Sequence, residues 1–115
     1  MAGIITYDNV VSLLLEAVPD FHPDPDDVNE NLVYLVFPDL MLFAKSELEG
    51  EQSEPLLERI FGFVEEAAQC QDARVIEMLR DTLHELATPD PDKANARMGH
   101  STLKLFRQVV KEVYG

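Results

Sequence analysis

The chain has 115 residues, 46% of them apolar, and a formal net charge of −13 from 22 acids against 9 bases. That length builds one domain with a real core and little room for a second, and the apolar share excludes general disorder. The charge argues against a protein that holds nucleic acid by its phosphates. The excess is lopsided: Met1 to Glu58 carries 13 acids and the single base Lys45, whereas Arg59 to Gly115 carries 9 acids and 8 bases.

The opening MAGIITYDN has no basic start and no sustained apolar run, so no signal peptide is expected. The most apolar stretch, Leu32 to Ala44, is interrupted by Pro38 and Asp39 and is too short to span a bilayer. Cys70 is the single cysteine, which rules out an intramolecular disulfide and points to a reducing compartment. A soluble cytoplasmic protein is the expectation.

Taken in order, the first predicted helix runs from about Thr6 to Val18. Thr6 is its N-cap, Asp8 sits in the first turn, and Tyr7, Val11, Leu14, Leu15 and Val18 share a face. Pro19 ends it. Asp20 to Asp27 holds two prolines and four acids and reads as a loop. Leu32 to Phe37 has strand-like composition but no strict alternation and no partner strand, so a helix is preferred. It opens at Asp27 or Asn29 and is either kinked or broken at Pro38, with a second piece to Leu48 and Gly50 as its C-terminal cap.

Ser53 to Ala87 is the organising stretch. Leu56, Leu57, Ile60, Phe61, Phe63, Val64, Ala67 and Ala68 fill one helical face, and Glu58, Arg59, Gly62, Glu65, Glu66 and Gln69 fill the other. Ser53 caps this helix and Pro55 stands in its first turn. A second amphipathic helix follows, with Val75, Ile76, Leu79, Leu83, Leu86 and Ala87 inside and Glu77, Arg80, Asp81, His84 and Glu85 outside. The short link Gln69 to Asp72 makes the two antiparallel neighbours. Thr88 to Asp92 is another proline–aspartate loop, and Lys93 to Met98 one weak turn ended by Gly99. Ser101 caps a last helix to about Tyr114, with Leu103, Phe106, Val109, Val110 and Val113 inward and Lys104, Arg107 and Lys111 as a solvated stripe. The fold class is all-α: a single-domain bundle or small solenoid-like stack of five to six antiparallel helices.

Motifs for chemistry fail on spacing. His22, Asp24, Asp26 and Glu30 suggest a metal loop, but a calcium loop opening at Asp24 needs glycine and glutamate where Asn29 and Leu35 stand. His84-Glu85 lacks the second histidine of a zinc-protease helix, because Thr88 holds that position. Gly3, Gly50, Gly62, Gly99 and Gly115 never cluster, so no phosphate-binding loop exists. Gly62 is unusual inside a helix, where glycine costs about 1 kcal/mol relative to alanine. Either another backbone approaches it or it is a tolerated weakness. Cys70 has no catalytic neighbours in a recognisable spacing. No residue is marked as catalytic, as a metal ligand or as a cofactor contact, and the expected function is not enzymatic.

Two accounts of the acidic half stand at this level: a solubilising surface, and a face that attracts basic proteins. The segment Met98-Gly99-His100-Ser101-Thr102-Leu103-Lys104-Leu105-Phe106 resembles a Met-Gly-x-x-Ser/Thr helix start of small bacterial helical proteins. In size, charge and helix number the chain is also similar to immunity proteins that neutralise nuclease toxins, as in contact-dependent growth inhibition. That resemblance implies an inhibitor that occludes a basic nuclease toxin domain through the acidic half, without nucleic acid or membrane. The residues expected to bind are Asp20, Asp24, Asp26, Asp27 and Glu30, then Glu47, Glu49, Glu51, Glu54 and Glu58, with Phe21 or Tyr34 as an aromatic anchor. The alternative is a helical adaptor or regulatory interaction module unrelated to toxins, self-association included.

Overall fold

A computed structural model describes residues 4–50, 54–87 and 91–114. The described residues form seven α-helices and one 3-10 turn, with no strand among them. The all-α expectation holds, including the helical reading of Leu32 to Phe37. The Cα radius of gyration is 13.2 Å, close to the roughly 13 Å of a compact chain of this length.

Helix α1 spans Val10–Ala17, four residues later than the sequence suggested. Thr6 does not cap it. Instead the Asn9 side chain accepts the Thr6 N–H at 2.7 Å and the Thr6 carbonyl accepts from Asn9 and Val10, closing a turn ahead of the helix. Asp8 lies in that turn rather than in the helix. Val10, Val11, Leu14 and Val18 are buried, with Tyr7 and Leu15 half-buried beside them.

The first proline–aspartate segment is not all loop. Pro25–Asn29 forms the short helix α2, because proline at the first helical position surrenders no needed N–H and Asp24 accepts the Asp26 N–H at 2.9 Å. Asn31 then takes a positive φ of 52°, a conformation asparagine tolerates, and donates its side-chain amide to the Tyr7 carbonyl. This reversal separates α2 from α3, so neither Asp27 nor Asn29 opens the long helix.

Helix α3 runs unbroken over Val33–Glu49. Pro38 removes one intrahelical bond, and the orphaned carbonyl belongs to Tyr34, an exposed residue with access to water. The apolar spacing of Val33, Val36, Phe37, Leu40, Met41, Ala44 and Leu48 continues across the proline, and all of these are buried. Their packing holds the helix together where its local sequence would break it. Gly50 closes α3, giving its N–H to Ser46.

Helix α4 spans Glu54–Ala68 and α5 spans Ala73–Leu83, packed on each other across the predicted four-residue link. Ser53 lies outside the described residues, so its capping role is not described. Leu56, Leu57, Ile60, Phe61, Phe63, Val64 and Ala67 are buried as expected. Helix α5 ends at Leu83, where side chains bond back to its carbonyls. The Thr82 hydroxyl bonds to the Met78 and Leu79 carbonyls, His84 Nδ1 lies 2.7 Å from the Asp81 carbonyl, and His84–Ala87 tightens into a 3-10 turn.

Residues 88–90 of the second proline–aspartate loop lie outside the described residues. Helix α6 covers Pro91–Asn95, again with proline in the first turn, and α7 covers His100–Tyr114. Within α7, Phe106 and Val109 are buried, Leu103 and Val110 half-buried, and Lys104, Arg107 and Lys111 exposed. Val113 lies outside the described side chains. One hydrophobic cluster joins the helices: α3 packs on α5 and the 3-10 turn, while α4 packs on α1, α5 and α7.

Candidate protein-binding surface

The acids singled out in the sequence separate into distinct environments. Asp24 caps α2, Asp26 and Asp27 occupy its first turn, and Glu30 is its C-cap. Desolvation raises the Asp27 carboxyl above the usual range, and repulsion from Asp24, Asp39, Asp26 and Glu30 raises it further. These five carboxylates therefore share one patch, four from α2 and its two caps and Asp39 from α3, which packs on α2. Asp39 was not among the expected residues. Its signal was present, since it lies four residues after Leu35 and three before Leu42 on one helical stripe.

Asp20 and Glu54 are engaged inside the molecule. Asp20 accepts from Arg59 on α4 at 3.0 Å, with both side chains substantially exposed. Glu54 pairs with Arg97 beyond α6, which keeps the Glu54 carboxyl below its usual range through that hydrogen bond. Glu58 is exposed on α4 and adds to the field that raises Arg97. Glu47 and Glu49 end α3, about 12 and about 15 Å along the axis from Asp39. Glu51 lies outside the described residues. The expected set is thus one cluster around α2 and a second group near the α3 end and the α4 start.

The aromatic candidates also divide. Phe21 is buried and packs on Phe43, ring centroids 5.5 Å apart, so it is a core residue rather than a surface anchor. Tyr34 is 53% exposed, and Leu35 and Leu42 on the same helix are 40% and 52% exposed. Neither leucine was among the expected residues, because the composition of Leu32 to Phe37 assigns no outward face to this stretch.

Elsewhere the polar groups do structural work. Glu65, expected on the outer face of α4, is half-buried and accepts the Ser101 N–H at 3.0 Å and the Thr102 N–H and hydroxyl at 2.8 Å each. Ser101 is therefore not the cap of α7; a carboxylate from another helix is. Partial burial pushes the Glu65 carboxyl up, but the bonds from Thr102, Ser101 and Gln69 outweigh it and bring it to about 2. Gly99 permits the arrangement: a Cβ there would stand 2.6 Å from the Glu65 carboxyl. Asp72 caps α5 through the Arg74 N–H and accepts the Tyr7 N–H at 2.9 Å, and the Tyr7 bond above all draws its carboxyl down to about 2.

A shallow open depression on α5 and α7 is lined by Glu77, Arg80, Asp81, His84, Val109 and Glu112. Within it Arg80 pairs with Glu112, and His84 Nε2 lies 3.2 Å from Glu85. Among the described residues no group of three or more His, Cys, Asp or Glu is placed to hold a metal ion. Cys70 is half-buried in the α4–α5 link with its thiol 3.7 Å from the Asp72 carbonyl. No helix among the described residues is long and apolar enough to cross a membrane.

Comparison with known proteins finds no matching family model, curated protein or solved structure. The functional reading rests on the surface itself.

Proposed function

We propose that the protein is an immunity-type inhibitor, which binds a basic nuclease toxin domain through its acidic half and occludes the toxin's substrate-binding surface. The observation that carries this reading is the shared patch of Asp24, Asp26, Asp27, Glu30 and Asp39. Keeping these like charges together costs self-repulsion, and an apposed basic surface relieves it. The mechanism is steric and electrostatic: carboxylates pair with the lysines and arginines that would otherwise grip phosphates, and opposed charge speeds encounter.

The test is capture of binding proteins from the native cell at low and at high salt, followed by a nuclease assay of what is retained. A basic nuclease, retained in stoichiometric amount and silenced on binding, supports the reading. Reversing Asp24, Asp26 and Asp27 together to lysine should weaken that binding at least tenfold and flatten its salt dependence. Unchanged affinity at low salt would remove this patch from the interface. The helical adaptor is the second reading, favoured by the exposed Tyr34, Leu35 and Leu42. A retained partner without nuclease activity would select it.

A further inference from the structure

Helix α3 has two working faces. One is buried in the core, and the other carries Leu35, Asp39, Leu42, Ser46 and Glu49 at spacings of four and three residues, all exposed. Successive positions at this spacing stay within a narrow angular band, so these residues form one outward stripe. Half-buried Pro38 fills the gap between Leu35 and Leu42, and exposed Tyr34 flanks it. The result is an apolar strip about two turns long on a helix face that the described residues leave exposed.

The charges around this strip are mostly acidic, with Lys45, three residues after Leu42, as the one base on that side of α3. Asp39 lies within it, Asp39 is close enough to Asp27 to raise that carboxyl, and Asp27 in turn joins Asp24, Asp26 and Glu30. Glu49 ends the stripe on the other side. We propose that this face of α3 docks a basic amphipathic helix of a partner protein. Apolar side chains of the partner cover Leu35, Pro38 and Leu42, and its lysines or arginines reach Asp39 and the α2 carboxylates. The proposal rests on the reading that the partner is basic, and it adds that an apolar strip, not charge alone, fixes where the partner sits. Opposed charge supplies the encounter and a small desolvated apolar centre supplies the residence time.

Charge also decides against a second copy as the occupant. A two-fold contact across the strip would set Asp39 and its acidic neighbours against the same residues of the other copy. Like charges facing each other across an interface are repelled, whereas a basic helix is attracted by every one of them.

The experiment uses the full chain and two labelled probes: a synthetic amphipathic helix with leucines on one face and lysines on the other, and an oligolysine of equal charge. Binding is followed by fluorescence anisotropy at low salt, with circular dichroism confirming that each variant is folded. The double substitution Leu35→Ser/Leu42→Ser should weaken the amphipathic probe about tenfold or more and leave oligolysine unchanged. Tyr34→Ser, off the axis of the stripe, should weaken it less. Equal binding of the amphipathic probe to the double variant overturns the docking strip. If Asp26→Lys/Asp27→Lys still lowers both probes in that case, the acidic reading survives without it. Failure of both probes at low salt overturns both readings together. A chain that self-associates, and is dispersed by Leu35→Ser/Leu42→Ser, makes a second copy the occupant and overturns the proposal.

Discussion

The starts of α2 and α7 solve the same problem in opposite ways. Both helices expose N–H groups that need acceptors. At α2 the acceptor is Asp24, two residues from the group it bonds. At α7 it is Glu65, thirty-six and thirty-seven residues away on a different helix. The first arrangement orders a local turn. The second ties two helices together, so its energy counts toward the tertiary fold. A carboxylate near a helix N-terminus also benefits from the aligned backbone dipoles, and of these two Glu65 does so from a half-buried position, where its bonds are shielded from water.

That contrast can be broken most directly at Glu65. Glu65→Ala leaves the first N–H groups of α7 and the buried Thr102 hydroxyl without their acceptor, and should cost about 1–3 kcal/mol of stability. Denaturant melts measure it. Gly99→Ala should cost a similar amount by a different route, since the new methyl group displaces the carboxyl. In a Glu65→Ala background the same glycine substitution should cost far less, because the group it collides with is gone. Additive losses in this double-mutant cycle would show that Gly99 matters for some other reason.

Acid sharpens the comparison next. The Glu65 carboxyl titrates at about 2 when folded and near 4.5 when free. A lowered folded value means that its stabilisation is fully present above about 4.5 and is lost as the pH falls toward 2. Asp72, held at about 2 against 3.8, contributes in an overlapping range. Stability measured from pH 5 to pH 2 should fall less steeply in Glu65→Gln than in the parent chain. An identical slope would show that the carboxylate is not a folded-state acceptor.

Asp24→Ala should do less to the whole molecule. It removes a cap from a five-residue helix with no buried residue, so the loss should be about 1 kcal/mol or less and confined to α2. Faster amide exchange over Asp26 to Asn29, with an unchanged melting temperature, is the expected signature. The smallest effect contrasts Gly99 with the other helical glycine. Among the described residues nothing lies within 4 Å of a Cβ placed on Gly62, so none of them makes a close backbone approach there. Gly62→Ala should therefore stabilise the protein by about 0.5–1 kcal/mol, read as a higher melting temperature.

What the sequence made legible follows the same division between near and far. The two central helices, their buried faces and their short link were readable because a 3.6-residue period states them within a few turns. The all-helical class followed from the same evidence. Boundaries failed where a single side chain redirected the backbone. Asn9 delayed α1, Asn31 split α2 from α3, and Thr82 with His84 turned the end of α5 into a 3-10 turn. Pro38 failed in the other direction, since long-range packing of α3 overrode a local helix breaker. Of the candidate surface, the acidic character was plain, yet the sequence alone did not separate Asp24, Asp26 and Asp27 from Asp20 and Glu54. That separation depends on Arg59 and Arg97, both from the more balanced half of the chain.

The Asp72 side chain carries a consequence for how the molecule opens. It holds the Arg74 N–H at the start of α5, the Tyr7 N–H at the front of the chain, and the Arg74 guanidinium, which lies 4.9 Å above the Tyr7 ring. Fraying of the amino-terminal turn thereby removes one of the bonds that orient this carboxylate, and release of the carboxylate uncaps α5. One carboxylate thus bridges two segments 65 residues apart in the chain. Loosening the turn at Tyr7 should therefore also weaken the start of the central hairpin.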